Sequence, residues 1–363
     1  MPTITASNLE AVCRRIADAR GSRPAEAQQV AANLVTANLK GHDSHGVGML
    51  PRYIKATYTG ELQINQHAEV VTDHGLIVQI DGHAGYGQVI GQEAMEIAIE
   101  RTKIFGMCIV TIRNAHHLCR IGAWGEQCAA AGFVSMHHVN AYGHVGMVAP
   151  FRGTDARFTT NPYCIVLPAT GNNPPTVMDF ATSQIAAGKV RVAKNKGEQA
   201  PEGALIDHKG QPTTDPWVLY QEPKGALGPA GGPAAGHKGY GMALINELFA
   251  GVLSGGDTCR PETDHENDVI LNGMLSIVID PDKMTDRAAF NAEIDATIAH
   301  VKASPAADPA KPVLVPGDPE RETMAKRGAE GVPIDDETWR ELLEAGETVG
   351  VPADELRRLA AVN

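Results

Sequence analysis

From Ala68 to Asn140 the chain alternates strand and helix signals, and this alternation limits its possible folds more than any other feature. AEVVTDHG and LIVQID are short strand-like runs, and GQVIGQEAMEIAIERTKIFG then carries a helical pattern that stops at a glycine. MCIVTIRN is a β-branched strand, IGAWGEQCAAAG a further helix, and FVSMHHVN a strand again. Strand–helix–strand order predicts an α/β body. VILNGMLSIVIDP reads as a later strand pair or one long strand.

The flanks read as helical. Ser7 is the expected cap of LEAVCRRIADA, with Glu10 at capping-box spacing. AEAQQVAANLVTANLK follows the GSRP break and ends at Gly41, and another helix is expected from Leu50 through PRYIKATYTGEL. The tail from Asp286 is mostly helical and charged on one face. PKGALGPAGGPAAGHKGYG, the richest stretch in glycine and proline, reads as a flexible loop ahead of the apolar helix MALINELFAGVLSGG. Glycine-rich backbone entering a helix N-terminus is also a way to bind phosphate. No internal repeat is present.

With 363 residues the chain has room for two domains, or for one body with an inserted lobe. A formal net charge of −12 argues against a general nucleic-acid binder, because phosphate contacts need a basic face. No run approaches the roughly 20 apolar residues that span a bilayer, and MPTITASNLEAVCRRIADAR lacks the pattern of a signal peptide. Six cysteines without a CxxC pair suit reduced thiols in a cytoplasm.

The chemistry concentrates in a few strings. KGHDSHGVGMLPRY places two histidines, an aspartate, a serine and two glycines within His42 to Gly48. His45 has the residue type to move a proton near neutral pH, and Ser44 beside it can orient that proton; the competing reading makes Asp43 and Ser44 helix caps. RNAHHLCRIGAWGE puts His116 and His117 at the end of an expected strand, where α/β proteins usually bind ligands. His137, His138 and His144 add to the histidine count and bring zinc into consideration, but HExxH is absent and the HDSH spacing is too short. TTNP and MDFATSQIAAGK join hydrogen-bonding residues to apolar runs; Asp179 could accept from ribose hydroxyls or cap a helix. GxGxxG is missing from any strand–helix context, so the usual dinucleotide fingerprint is not here.

Taken together, DSHG, NAHHLCRIGAWGEQCAAAG, VAPFRGTDARFTTNP, MDFATS…GKVRVAKNKGE, GQPTTDP and HKGYG resemble the malate/L-lactate dehydrogenase-like oxidoreductases, over nearly the whole chain. The resemblance is strongest to the hydroxycarboxylate dehydrogenase B type. It implies an α/β fold in which a non-Rossmann NAD(P)-binding lobe is inserted in a mixed α/β body, with a helical lobe formed by both termini. It divides the chain into 1–70 and 285–363 as helical lobe, 71–118 and 265–284 as central α/β domain, and 119–264 as cofactor lobe. It implies a homodimer, NAD or NADP as cofactor, and a 2-oxo/2-hydroxy acid as substrate. Carried over by matching motif, His45 is the general acid with Ser44 in support, and His117 is a second candidate for acid/base or substrate-orienting work. Cys119, Asn140, Thr160, Asn161, Asp179, Phe180, Ala181, Lys238, Gly239, Pro316, Gly317 and Asp318 match cofactor-lining positions, as His45 does.

Three departures stand out. Cys119 occupies a place where relatives commonly have glycine. Met49 stands where several carry a carboxylate-binding arginine, which makes Arg52, Tyr53 and Arg120 the candidates for substrate. Arg191-Val192-Ala193 offers no carboxylate where some relatives use an aspartate. A cyclic imine reductase on the same scaffold is the nearby alternative; a metal-dependent hydrolase or lyase and a non-catalytic sensor are more distant ones.

Overall fold

The computed structural model describes residues 1–265 and 269–362, without the side chains of Val192, Asn195 and Lys196. The two ends of the chain build one layer together. From the N-terminus come β1 (Thr3–Ile4), α1 (Ala6–Arg20), α2 (Pro24–Leu39) and α3 (Leu50–Thr59). From the C-terminus come α9 (Asp318–Glu330), β12 (Val332–Pro333), α10 (Asp336–Thr348) and α11 (Ala353–Ala360). β1 pairs antiparallel with β12, and Leu9, Ile16, Leu34, Leu50 and Tyr53 share a buried core with Leu342 and Leu356. The cap of α1 is Thr5 and not the expected Ser7: Thr5 is the extended residue, and its Oγ1 accepts from the Asn8 N–H at 3.4 Å.

A seven-stranded mixed sheet forms the second layer. Its strands are β2 (Glu69–Asp73), β3 (Ile77–Asp81), β4 (Met107–His116), β5 (Val134–Tyr142), β6 (Tyr163–Leu167), β7 (Thr176–Phe180) and β11 (Leu271–Ile279), in spatial order β2-β3-β4-β11-β5-β6-β7. Only β3 and β4 run parallel; every other neighbouring pair is antiparallel. A sheet with one parallel pair is not the doubly wound Rossmann sheet, which accounts for the missing fingerprint. α4 (Gly87–Phe105) makes the β3–β4 crossover, and with α5 (Gly122–Ala130) it covers one face through Ile90, Met95 and Trp124 against Ile80, Val110, Ile112 and Val139. VILNGMLSIVIDP is a single strand.

Residues between β7 and β11 form a smaller unit: α6 (Ala187–Lys196), then β8 (Leu205–Ile206), β9 (Pro212–Thr213) and β10 (Ala226–Leu227) in a three-stranded sheet. Its core holds Val190, Leu205 and Leu227, completed by Val148 from the β5–β6 connection. α7 (Gly232–Glu247) follows and runs on into a π-helical turn over Leu248–Val252. The helix therefore starts inside the segment whose composition predicts a loop. A side chain at Gly239 would meet the Ala230 carbonyl at 2.4 Å, so close packing against the preceding chain requires glycine there and overrides its low helix propensity. α8 (Arg287–Lys302) holds the β6–β7 loop, its Asp295 accepting from Thr170 and Asn173. Among the described residues, no helix is long and apolar enough to cross a membrane.

Candidate active site

Residues Asp43–His45 form the first of two 3-10 turns between α2 and α3, the second being Val47–Met49. The capping reading of this cluster does not hold: no side chain caps the turn or α3. Asp43 instead pairs with Arg327 of α9 and accepts from Asn38 Nδ2 at 2.6 Å. Asn38 in turn accepts from the Val47 N–H at 2.8 Å, and His42 Nε2 meets Glu320 Oε1 at 3.2 Å. The turn is tied to α2 on one side and α9 on the other. Ser44 Oγ lies 2.9 Å from His45 Nδ1, so Nε2 is the ring nitrogen left for a substrate.

The second histidine arrives from the carboxyl end of β4. The His117 N–H donates to the Ile270 carbonyl, and the Leu118 N–H to Asn272 Oδ1 at 2.7 Å, beside an irregularity in the β4–β11 register. The rings of His45 and His117 stack with centroids 5.4 Å apart and planes 22° from parallel. Tyr53 on α3 sits 2.6 Å from His117 Nδ1, and Gln88 Nε2 on α4 donates to the Tyr53 hydroxyl at 3.2 Å. Burial, then the charges of His42 and Arg120, lower the His45 pKa to about 4. Burial does the same to His116, to about 3, and holds His117 well below the ordinary histidine value.

Two clefts flank this pair. One, of about 470 Å³, is lined by His42, Ser44, His45, Cys119, Arg120, Thr160, Asp179, Phe180, Ala181, Lys189 and Glu320. The other, of about 770 Å³, is lined by Met49, Arg52, Lys55, His116, Arg191 and Glu341 among others. In the smaller cleft Asp179 Oδ2 accepts from the Gly122 N–H at 2.7 Å, at the start of α5. Arg120, 3% exposed, pairs with Glu126, which also holds Lys40. Cys119 takes a φ of +63°, the left-handed conformation that a glycine adopts freely, and its Sγ lies 2.9 Å from the His45 carbonyl.

Of the residues singled out from the sequence, the structure brings Ser44, His45, Cys119, Arg120, Thr160, Asp179, Phe180 and Ala181 onto one cleft. Arg52 faces the other, and Tyr53 is buried behind His117. Asn140 and Asn161 line neither of these two clefts. They are buried amides that, together with the Cys259 N–H, donate to the buried Glu247 carboxylate. Lys238 is exposed on α7 and Gly239 is buried against Ala230, and neither lines the smaller cleft. Pro316, Gly317 and Asp318 lie one step outside it: the Pro316 carbonyl accepts from Val177, and Asp318 pairs with Lys302 and Arg321, which positions the following Pro319 and Glu320 on the cleft. Of the remaining histidines, His144 lies close enough to His117 to add to the charges that lower its pKa, while two others stay apart. His137 lies between Ser135 and Ser276, and His138 binds Asn246. Among the described residues no three His, Cys, Asp or Glu side chains could hold a metal ion. Gln88, Asn38, Asn272 and Glu126 were not singled out from the sequence; each is an ordinary polar residue in a helix or strand, and only its tertiary neighbours give it a place here.

The sequence profile of the malate/L-lactate dehydrogenase family matches residues 4–343. The chain belongs to this family. Hydroxycarboxylate dehydrogenase B of Escherichia coli K12 is 45% identical to this malate/L-lactate dehydrogenase family member over 97% of the chain and 94% of its own length. L-lactate dehydrogenase of Cupriavidus necator is 39% identical, over 90% and 91%. A solved E. coli structure assigned to the malate/lactate dehydrogenases superposes with a TM-score of 0.94 at 42% identity, covering 99% of each chain.

Proposed function

We propose that the protein interconverts a 2-oxo acid and a 2-hydroxy acid with NAD or NADP, and that His45 is the group that moves the proton. The observation that carries this is the position of His45, with Nδ1 held by Ser44 and the ring on the wall of the smaller cleft. That cleft suits a nicotinamide nucleotide: Phe180 offers a half-exposed aromatic face, and Lys189, which has no ion pair among the described residues, offers a cation for phosphate. When bound there, the cofactor supplies or accepts the hydride. His45 gives a proton to the carbonyl oxygen as the oxo acid is reduced and takes the hydroxyl proton in the reverse direction. Arg52, beside His116 in the larger cleft, is placed to hold the substrate carboxylate. An oxo acid is favoured over a cyclic imine because relatives 45% and 39% identical to the chain are named for hydroxy acids.

All six cysteines are free, which fits a reducing cytoplasm. A second copy of the chain is the partner we assign to the apolar stripe at the end of α7, where Ile245, Leu248, Phe249 and Val252 are between 36% and 57% exposed. The test of the activity is oxidation of NADH and NADPH across small, dicarboxylic and aromatic 2-oxo acids, with a cyclic imino acid and His45→Ala alongside. Reduction of an oxo acid that His45→Ala abolishes supports the reading. Turnover of the imine alone replaces the substrate class, and cofactor binding without any turnover replaces the enzyme by a sensor.

A further inference from the structure

We propose that Gln88 and Tyr53 are positioning residues that fix His117 as a neutral imidazole with its proton on Nε2, making it a hydrogen-bond donor to the substrate while His45 alone moves the proton. This rests on the reading of the site as an oxo acid reductase. Gln88 Nε2 donates to the Tyr53 oxygen at 3.2 Å, so that oxygen acts there as acceptor. The phenol has one proton, and the short 2.6 Å contact to His117 Nδ1 is where it goes. Nδ1 must then present its lone pair, and a neutral ring carries its hydrogen on Nε2. Among the described residues the structure records no protein partner for Nε2.

The surroundings keep the ring neutral. Tyr53 is fully buried, the His45 ring stacks on His117, and Arg52 and His116 lie close enough to oppose a second proton electrostatically. His45 differs in kind: its Nδ1 partner is a serine hydroxyl, which turns to donate or accept and so serves both the neutral and the charged ring. The buried Tyr53 phenol, with Gln88 donating to it, would leave its own proton without an acceptor if it also accepted from Nδ1–H, so it has no such freedom. The two stacked histidines are thereby given unequal tasks, one with an adaptable partner for proton transfer and one with a fixed partner for holding. Turning the Gln88 amide over would reverse the chain and place the His117 proton on Nδ1, and this is the alternative that the experiment reads.

The experiment is long-range ¹H–¹⁵N NMR on the full chain labelled at histidine, without cofactor, with His117 assigned by the signal lost in His117→Gln. The expected result is a pyridine-like Nδ1 and a pyrrole-like Nε2 near neutral pH, with both tautomers appearing in Tyr53→Phe and in Gln88→Leu. An Nδ1-protonated ring in the wild-type protein, or variants with an unchanged spectrum, overturns the proposal. Kinetics add a second readout: Tyr53→Phe should raise KM for the oxo acid about fivefold, the worth of one neutral hydrogen bond, with kcat within about twofold. A fall in kcat with KM unchanged contradicts a holding role. If the wild-type protein reduces no oxo acid, the functional reading fails while the NMR result still decides the tautomer.

Discussion

His45 gives up its proton readily because burial and two nearby basic groups set its pKa at about 4 in the free site. Oxidation of the hydroxy acid needs the neutral ring, so its kcat/KM should be flat above about pH 5 and fall as pH drops through about 4. Reduction needs the charged ring, so its kcat/KM should rise steadily as pH falls from neutral toward about 4. Initial rates in both directions between pH 4 and 9 check this, and a reduction profile that is flat across neutral pH would remove His45 from proton transfer. An incoming carboxylate favours the charged ring and moves the titration upward in the complex. The Ser44–His45 pair was legible in the sequence because it is contained in two adjacent residues. The Gln88–Tyr53–His117 chain was not, since it draws on α3, α4 and the end of β4, segments separated by 35 and 29 residues and joined only by packing.

At the scale of elements, the start of α4 decides where His117 sits. A side chain at Gly87 would meet the His117 carbonyl at 2.2 Å and the His116 carbonyl at 2.3 Å, both backbone atoms that cannot swing aside. Gly87→Ala should cost about 1–3 kcal/mol of stability and, by displacing His117, lower kcat/KM at least about tenfold; a urea melt and steady-state rates measure the two effects. β5 carries a different liability. His137 is fully buried and neutral, its pKa lowered to about 3 by burial and then by His138, whereas an unfolded histidine titrates near 6.5. The unfolded chain binds the proton first, so stability should fall from about pH 6.5 toward pH 3, by about 1.4 kcal/mol per pH unit for this one residue. His137→Asn should flatten that slope in melts run across the range. Strand and helix identity from Ala68 to Asn140 was readable because period and residue type agree there. α7 was not, because its glycines answer to Phe151, Pro229 and Ala230 across the packing, at positions that local propensity does not register.

For the whole molecule, the stripe at the end of α7 predicts assembly. Replacing Leu248 and Val252 by aspartate should convert a dimer to a monomer at micromolar concentration, read by light scattering, while leaving the monomer fold intact because both side chains are exposed. A wild-type chain that already runs as a monomer would refute that assignment. The joint layer built by both ends of the chain has a consequence for synthesis. α1, α2 and α3 leave the ribosome with their apolar faces incompletely covered, and the residues that finish covering them, Val332 to Ala360, are translated about 300 residues later. At about 5–20 residues per second the first helices wait roughly 15–60 seconds for their partners. Throughout that interval the nascent chain presents an incomplete apolar layer, so its exposure during synthesis is set by the rate of translation and not by equilibrium stability.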